Sequence, residues 1–232
     1  MSVSGEALVP VIFPGTGRSY DRVVRWTTLG LDARWKRRLI EGLPPSKNVL
    51  ELASGTGILT AAILERCPEA RWTGVDITDD YMHVGRERFA ASGRDLEFRL
   101  GDAVTVPVAD RGPFDAVVSC YIPKYVSCER LVAHLTPSMA PGGVLRFHDF
   151  TKPRGAFPWA VWRSWFGLLN LITPFMHPEW RRAFDSSLTE LISTSHWVNE
   201  LRTALLGHGW ADIEVTRLHH RAATIVSARR PG

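Results

Sequence analysis

The sequence predicts an α/β fold: a Rossmann-like seven-stranded, mostly parallel sheet with helices on both faces, an N-terminal helical arm and a helical, aromatic-rich cap insertion. Three observations carry the prediction. The apolar run Val49–Leu52 leads through Ala53-Ser54-Gly55-Thr56-Gly57 into a segment of helical spacing that continues to about Arg66, which is the strand, glycine turn and helix that open a nucleotide-binding βαβ unit. Short strand-like runs near 48–53, 71–76, 95–100, 114–119 and 143–149 then alternate with helical segments, the pattern of a parallel sheet. Finally, 232 residues at 45% hydrophobic and 22% charged suffice for one large domain with a sizeable core.

Taken in order, residues 1–44 form the arm. Pro10, Pro14, Gly15 and Gly17 make its first part loose, and helical spacing begins near Arg18, with Gly30 dividing two helices. Residues 45–152 are the Rossmann-like core. Residues 153–197 are the cap, which holds Trp159, Trp162, Trp165, Phe166 and Trp180; Trp159, Trp162, Phe166 and Leu169 share one helical face. That face either packs on the sheet or walls a hydrophobic pocket. Residues 198–232 supply a helix and a strand pair near 210–217 and 221–228 that completes the sheet.

The glycine turn narrows the ligand. Glycines let a backbone approach a ligand closely, and the following helix offers free N–H donors. A dinucleotide fingerprint would place a third glycine at position 60, which is Thr, and no Gly-Lys-Ser/Thr of a phosphate-cradling loop follows. Glu51 lies within the first strand, where a carboxylate would repel a pyrophosphate and attract a cationic methionine moiety. Asp76 ends the second strand, roughly 20 residues beyond the turn, the place of a ribose-binding acid. With Gly101-Asp102-Ala103 after the third strand, these residues favour S-adenosyl-L-methionine over NAD. The expected cofactor-binding set is Glu51, Ala53, Gly55, Gly57, Asp76, Ile77, Met82, Asp102, Ala103 and Ser119, with Met82 either covering the adenine or filling the core.

In order and spacing, Glu51–Gly57, Asp76, Gly101–Ala103, Phe114–Ser119 and Pro141-Gly142-Gly143 resemble the successive motifs of class I methyltransferases, over about residues 45–150. Two flanking stretches are similar to the ubiquinone/menaquinone-biosynthesis C-methyltransferases: Tyr20-Asp21 followed by Leu29–Arg37, and Asp149–Pro153. The resemblance implies methyl transfer to a hydrophobic or aromatic small molecule, with a quinol as first candidate, and it places Tyr20 close to the methyl donor. On the residues alone Tyr20 serves equally as an anchor of the arm. The family usually carries Phe-Gly-x-Arg-Asn-Val after the fourth strand, where this chain has Tyr121, Ile122, Lys124 and Tyr125 for the Phe, Gly, Arg and Asn. Arg and Lys are not equivalent at a fork-shaped contact, so the acceptor is the part of the reading this departure touches.

C-methylation of an aromatic ring needs an activated phenolate. His148 and Asp149, at the end of the fifth strand, are the titratable pair expected nearest, with His148 either a general base or a structural residue. The other histidines have no motif context.

The net charge of +4 rests on dispersed cations, and clusters such as Arg34-Trp35-Lys36-Arg37-Arg38 read as solvated surface rather than a nucleic-acid face. No nucleic-acid partner is expected; a hydrophobic acceptor and contact with a membrane surface are. Cys67, Cys120 and Cys128 form no disulfide framework, and Met1–Pro10 has neither a basic start nor a long apolar core, so a cytoplasmic location is expected. O- or N-methylation in specialised metabolism, an RNA methyltransferase and a non-catalytic cofactor-binding relative are the alternatives, and oligomeric state is left open.

Overall fold

The computed structural model describes residues 5–184 and 187–232. Its sheet runs β1 (Asn48–Leu52), β2 (Arg71–Asp76), β3 (Leu96–Leu100), β4 (Phe114–Cys120), β5 (Met139–Phe150), β6 (Ala211–Leu218) and β7 (Ala223–Arg229), in the spatial order β3-β2-β1-β4-β5-β7-β6. All pairings are parallel except those of β7 with β5 and β6. The chain therefore reverses direction across the sheet between β1 and β4, the point where ligands bind at the carboxyl ends of open α/β sheets.

Helices α1 (Gly5–Ile12), α2 (Gly17–Thr27) and α3 (Leu31–Glu41) precede the sheet; α4 (Ile58–Arg66), α5 (Asp79–Phe89) and α6 (Cys128–Leu135) connect its parallel strands. The cap contributes α7 (Ala156–Met176) and α8 (Ser187–Thr194), and α9 (Trp197–Gly207) returns the chain to the sheet. Because β1, β4 and β5 are buried on both faces, their apolar residues feed two cores. Leu50, Leu52, Val117, Leu145 and Phe147 pack with α6 and α9 on one side; Val49, Ala116 and Val118 pack with Leu39, Leu59 and Ile63 on the other.

Two departures from expectation have local causes. The loose start of the arm contains α1, whose Ile12 is buried with Val23, Leu169, Trp180 and Phe184, so packing against the cap supplies what a short segment lacks alone. Strand β5 begins at Met139 rather than near 143, because the register shift opposite Phe114 and Ala116 lets it run through Pro141-Gly142-Gly143. Gly30 divides α2 from α3 as expected, with a left-handed backbone at φ 74°. Among the described residues, no helix is long and apolar enough to cross a membrane.

Candidate active site

A cavity enclosing about 1020 Å³ opens at the carboxyl ends of β1, β2 and β4. Its floor is backbone. Ala53 leaves β1 at φ 53° and Gly55 follows at φ 56°, so the turn folds back and presents main chain to the cavity instead of side chains. A left-handed alanine is strained, a cost that clusters where backbone is held for a ligand. The Asp76 carboxylate fixes this turn: Oδ2 accepts from the Gly55 amide at 2.8 Å and Oδ1 from the Thr78 amide at 2.8 Å. Burial raises its pKa to about 6, against the opposing pull of those two amides.

The arm closes the other side. Asp80 Oδ2 accepts from the amides of Gly15 and Gly17, each at 3.0 Å, and a Cβ at Gly17 would lie 2.9 Å from the Asp80 carbonyl oxygen, so this approach requires glycine. The Thr56 hydroxyl donates to Asp21 at 2.6 Å, and Arg88 pairs with the other oxygen of Asp21. The Tyr20-Asp21 motif thus couples an anchor to a wall: Asp21 fastens α2 to the glycine turn while the Tyr20 ring meets Tyr81 at 4.9 Å and lines the cavity with Val9 and Phe13.

A second cavity of about 950 Å³ lies between the arm and the cap, lined by Val24, Leu29, Trp35, Phe150, Trp162, Trp165, Phe166, Trp180 and Lys124, among others. Phe13, Tyr20, Tyr121 and Tyr125 belong to both cavities. The aromatic cap is therefore packing and pocket together: Trp162, Phe166 and Trp180 are buried and also face this space.

Buried charge flanks the shared wall. Lys36 Nζ lies 2.7 Å from both carboxylate oxygens of Asp32, whose Oδ1 also accepts from the Tyr121 hydroxyl at 2.5 Å. Lys124 Nζ donates to Asp149 Oδ1 at 2.7 Å. The two ammonium groups stand 5.4 and 5.3 Å from the Tyr121 ring centroid, within cation–π range. Tyr121 itself has φ 70°, a second strained residue, at the carboxyl end of β4.

The expected site residues divide accordingly. Ala53, Gly55, Asp76, Ile77, Asp102, Ala103 and Tyr20 line the first cavity. Glu51, Gly57, Met82, Ser119, His148 and Asp149 line neither. The reading of Glu51 as a charge facing a sulfonium is corrected: it is fully buried outside the cavity lining, its Oε2 accepts from Thr60 and Trp72 while Oε1 has no partner, and burial pushes its pKa up to about 8. Met82 is core, at 0% exposure, and covers no ligand surface. The Ser119 hydroxyl donates to the Leu52 carbonyl and ties β4 to β1. Gly57, at φ 83°, shapes the turn from behind, where Phe89 leaves no room for a side chain.

His148 is likewise corrected as a near-neutral base. It is fully buried between the Trp35 and Tyr121 rings with neither ring nitrogen hydrogen-bonded, and burial, then Lys36 and Lys124, lower its pKa to about 3. Asp149 and Lys124 form a buried pair in which burial disfavours both charges, raising the acid's pKa and lowering the amine's.

Some residues were missed. Lys36 sat in a cluster read as solvated, yet it is 6% exposed and lines the first cavity; the Asp32–Lys36 spacing of one helical turn was the available signal. Ser54 lines the same cavity with a buried hydroxyl that has no partner, an orphaned group aimed at a ligand. That hydroxyl, the exposed backbone of the turn, the Asp76 carboxylate and the apolar Ile77 together suit a molecule with a polar amino-acid end, a ribose and a flat base. S-adenosylmethionine is such a molecule.

Comparison with known proteins agrees. Residues 49–143 match the family described as a methyltransferase domain. The chain is 34% identical to a demethylmenaquinone methyltransferase of Thermus thermophilus over 163 residues, 68% of this chain and 71% of the relative. It is 30% identical to a demethylmenaquinone methyltransferase of Beutenbergia cavernae over 237 residues, 94% and 89% of the two chains. The N-methyltransferase NodS from Bradyrhizobium japonicum in complex with S-adenosyl-L-homocysteine shares the fold at 15% identity, with a TM-score of 0.56 over 85% of this chain and 84% of that one. This chain is thus an S-adenosylmethionine-dependent methyltransferase of class I, and it belongs to the family of the demethylmenaquinone and ubiquinone/menaquinone C-methyltransferases.

Proposed function

We propose that the enzyme methylates a hydrophobic aromatic small molecule, a quinol or a close relative of one, held in the second cavity. The observation that carries this reading is the junction: an apolar, aromatic-walled cavity meets the cofactor cavity across Phe13, Tyr20, Tyr121 and Tyr125. A flat ring with an apolar substituent gains the most from such walls, by stacking and by burial of its tail. The relatives, named demethylmenaquinone methyltransferases, point to the same acceptor class.

In the first cavity, Asp76 would accept from the ribose hydroxyls, Asp102 and Ile77 would flank the base, and Ser54 with the Ala53–Gly55 backbone would take the amino-acid end. When bound, the cofactor supplies an electrophilic methyl group on a sulfonium. The chain then has to orient the acceptor, exclude water and tolerate a phenolate. Burial, then neighbouring Tyr81, raises the pKa of Tyr20, so its hydroxyl would offer a hydrogen-bond donor at the junction rather than a base. Lys36 and Lys124, each held by a carboxylate, Asp32 and Asp149, bracket the Tyr121 ring at the junction and fix the wall against which the acceptor would lie. With His148 and Asp149 walled off, catalysis falls to positioning and to the acceptor's own acidity.

The test is turnover with S-adenosylmethionine and a panel of reduced demethylquinones and phenols. Carbon methylation of a quinol, identified by mass spectrometry and NMR of the product, is the expected result. Tight binding of S-adenosylhomocysteine with turnover confined to non-quinol acceptors would remove the quinol and leave the methyltransferase. The altered residues Tyr121, Ile122, Lys124 and Tyr125 all line one cavity or both, so they are where a changed acceptor would be read.

A further inference from the structure

We propose that the outer face of α7 docks on an anionic phospholipid bilayer. Helix α7 has 21 residues, roughly 32 Å at 1.5 Å per residue, and contains no acid. Its inner face, with Trp162, Phe166 and Leu169, is buried and in part lines the second cavity. Its outer face is also apolar: Phe157 is 79% exposed, Leu171 65% and Phe175 81%, with Val161, Leu168 and Met176 exposed between and beside them. Phe157, Val161, Leu168, Leu171 and Phe175 follow one another at intervals of four, seven, three and four, so they fall on one face of the helix. Arg163 is the single charged residue of α7, and it too is exposed. A contiguous apolar face of this size on a soluble surface marks a contact site.

Charge selects the occupant. Exposed Lys152 and Arg154 precede α7, and exposed Arg181 and Arg182 follow it closely. Lys152 lies over the Trp159 ring at 4.6 Å, placing an aromatic and a cation together as interfacial segments do. Partial desolvation and then the charges of Arg154 and Arg217 hold the Arg221 guanidinium below its usual value, so these three cations share one patch at this end of the helix. Among described residues, the nearest acid in sequence after α7 is Glu179, which is engaged by Ser19 and His177. An apolar stripe with cations at both ends and no acid along it complements an anionic headgroup layer above an acyl interior. The inference stands on the exposed face and its charge, independently of which acceptor the enzyme methylates.

Co-sedimentation with phosphatidylcholine vesicles, with and without phosphatidylglycerol, tests it on the full chain. Binding to the anionic vesicles is expected, weakened at least about tenfold on pure phosphatidylcholine and likewise in high salt. The double variant Phe157→Ser and Phe175→Ser should lose at least about tenfold in vesicle affinity, since each side chain would otherwise bury apolar area in the bilayer. Both residues are exposed, so the variant should keep its fold and its affinity for S-adenosylhomocysteine, which calorimetry checks. Failure of the wild type to sediment with anionic vesicles, or equal sedimentation of the variant, overturns the proposal. So does a dimer in analytical ultracentrifugation that the double variant dissociates, because a second copy would then own the stripe.

Discussion

The two cavities are built by opposite means. The cofactor cavity is made of chain ends: turns after β1, β2 and β4, a backbone floor, and one carboxylate that holds two amides. The second cavity is made of side-chain surface, drawn from α2 and α3, the β4 loop, the end of β5, α7 and the later cap residues Trp180, Phe184 and Leu188. The floor of the first is fixed by sheet hydrogen bonds and by Asp76. The second is shaped by ring packing, such as the Trp159–Trp162–Phe166 stack with centroids 5.1 and 4.1 Å apart, and can change by substitution without disturbing the sheet. That difference teaches where shape can change in a fold of this kind: the floor of the first cavity is set by backbone, and the walls of the second by a set of exchangeable rings.

Asp76→Ala would break the comparison most forcibly. It removes the acceptor for the ribose and leaves the Gly55 and Thr78 amides unpaired, so S-adenosylhomocysteine should bind at least about a hundredfold more weakly by calorimetry, for charge-assisted bonds worth about 1.5–3 kcal/mol each. An unchanged acceptor affinity in the same variant would keep the cavities separate; a matching loss there would merge them. A milder perturbation is pH. The Asp76 carboxyl has its pKa raised to about 6, and the ionised form is the one that accepts hydroxyls, so affinity holds above that pH and falls below it. Titrations should show roughly tenfold weaker cofactor binding at about pH 5 than at about pH 7, and Asp76→Asn should abolish the dependence. The smallest effect belongs to the other cavity. Trp165→Leu trims one ring from the acceptor wall and should raise acceptor KM about tenfold, about 1.4 kcal/mol, while leaving cofactor affinity unmoved.

The same division explains what was legible in the sequence. Asp76, Asp102 and the glycine turn could be read because each sits at a strand end, and short-range spacing alone brings strand ends together. Glu51 misled because it lies two residues before the turn, roughly 6–7 Å back along β1, beneath Thr60 and Trp72. His148 misled for a related reason: proximity to a strand end does not say whether a ring faces solvent, and Trp35 from α3 closes over it. Lys36 and Asp32 were hidden altogether. Their burial depends on how the arm folds back against the β4 loop, and only Tyr121, 89 residues further on, completes the contact. The aromatic richness of the cap was visible; that it walls a pocket emerges only once the arm supplies the facing side.

Asp80 carries one further consequence. Its carboxylate binds the amides of both Gly15 and Gly17, and together with the Asp21–Arg88 pair and the Thr16–Tyr81 hydroxyl bond it fastens the arm to α5. Val9, Phe13 and Tyr20 are walls only while that fastening holds, which makes arm docking and ligand binding linked equilibria. Whatever binds against those three side chains tightens the arm, and whatever loosens the arm weakens the ligand by the same factor. Because Phe13 and Tyr20 face both cavities, ligands of the two would share that equilibrium: the first to arrive would meet part of the cost of ordering the wall, and the second would find it already in place.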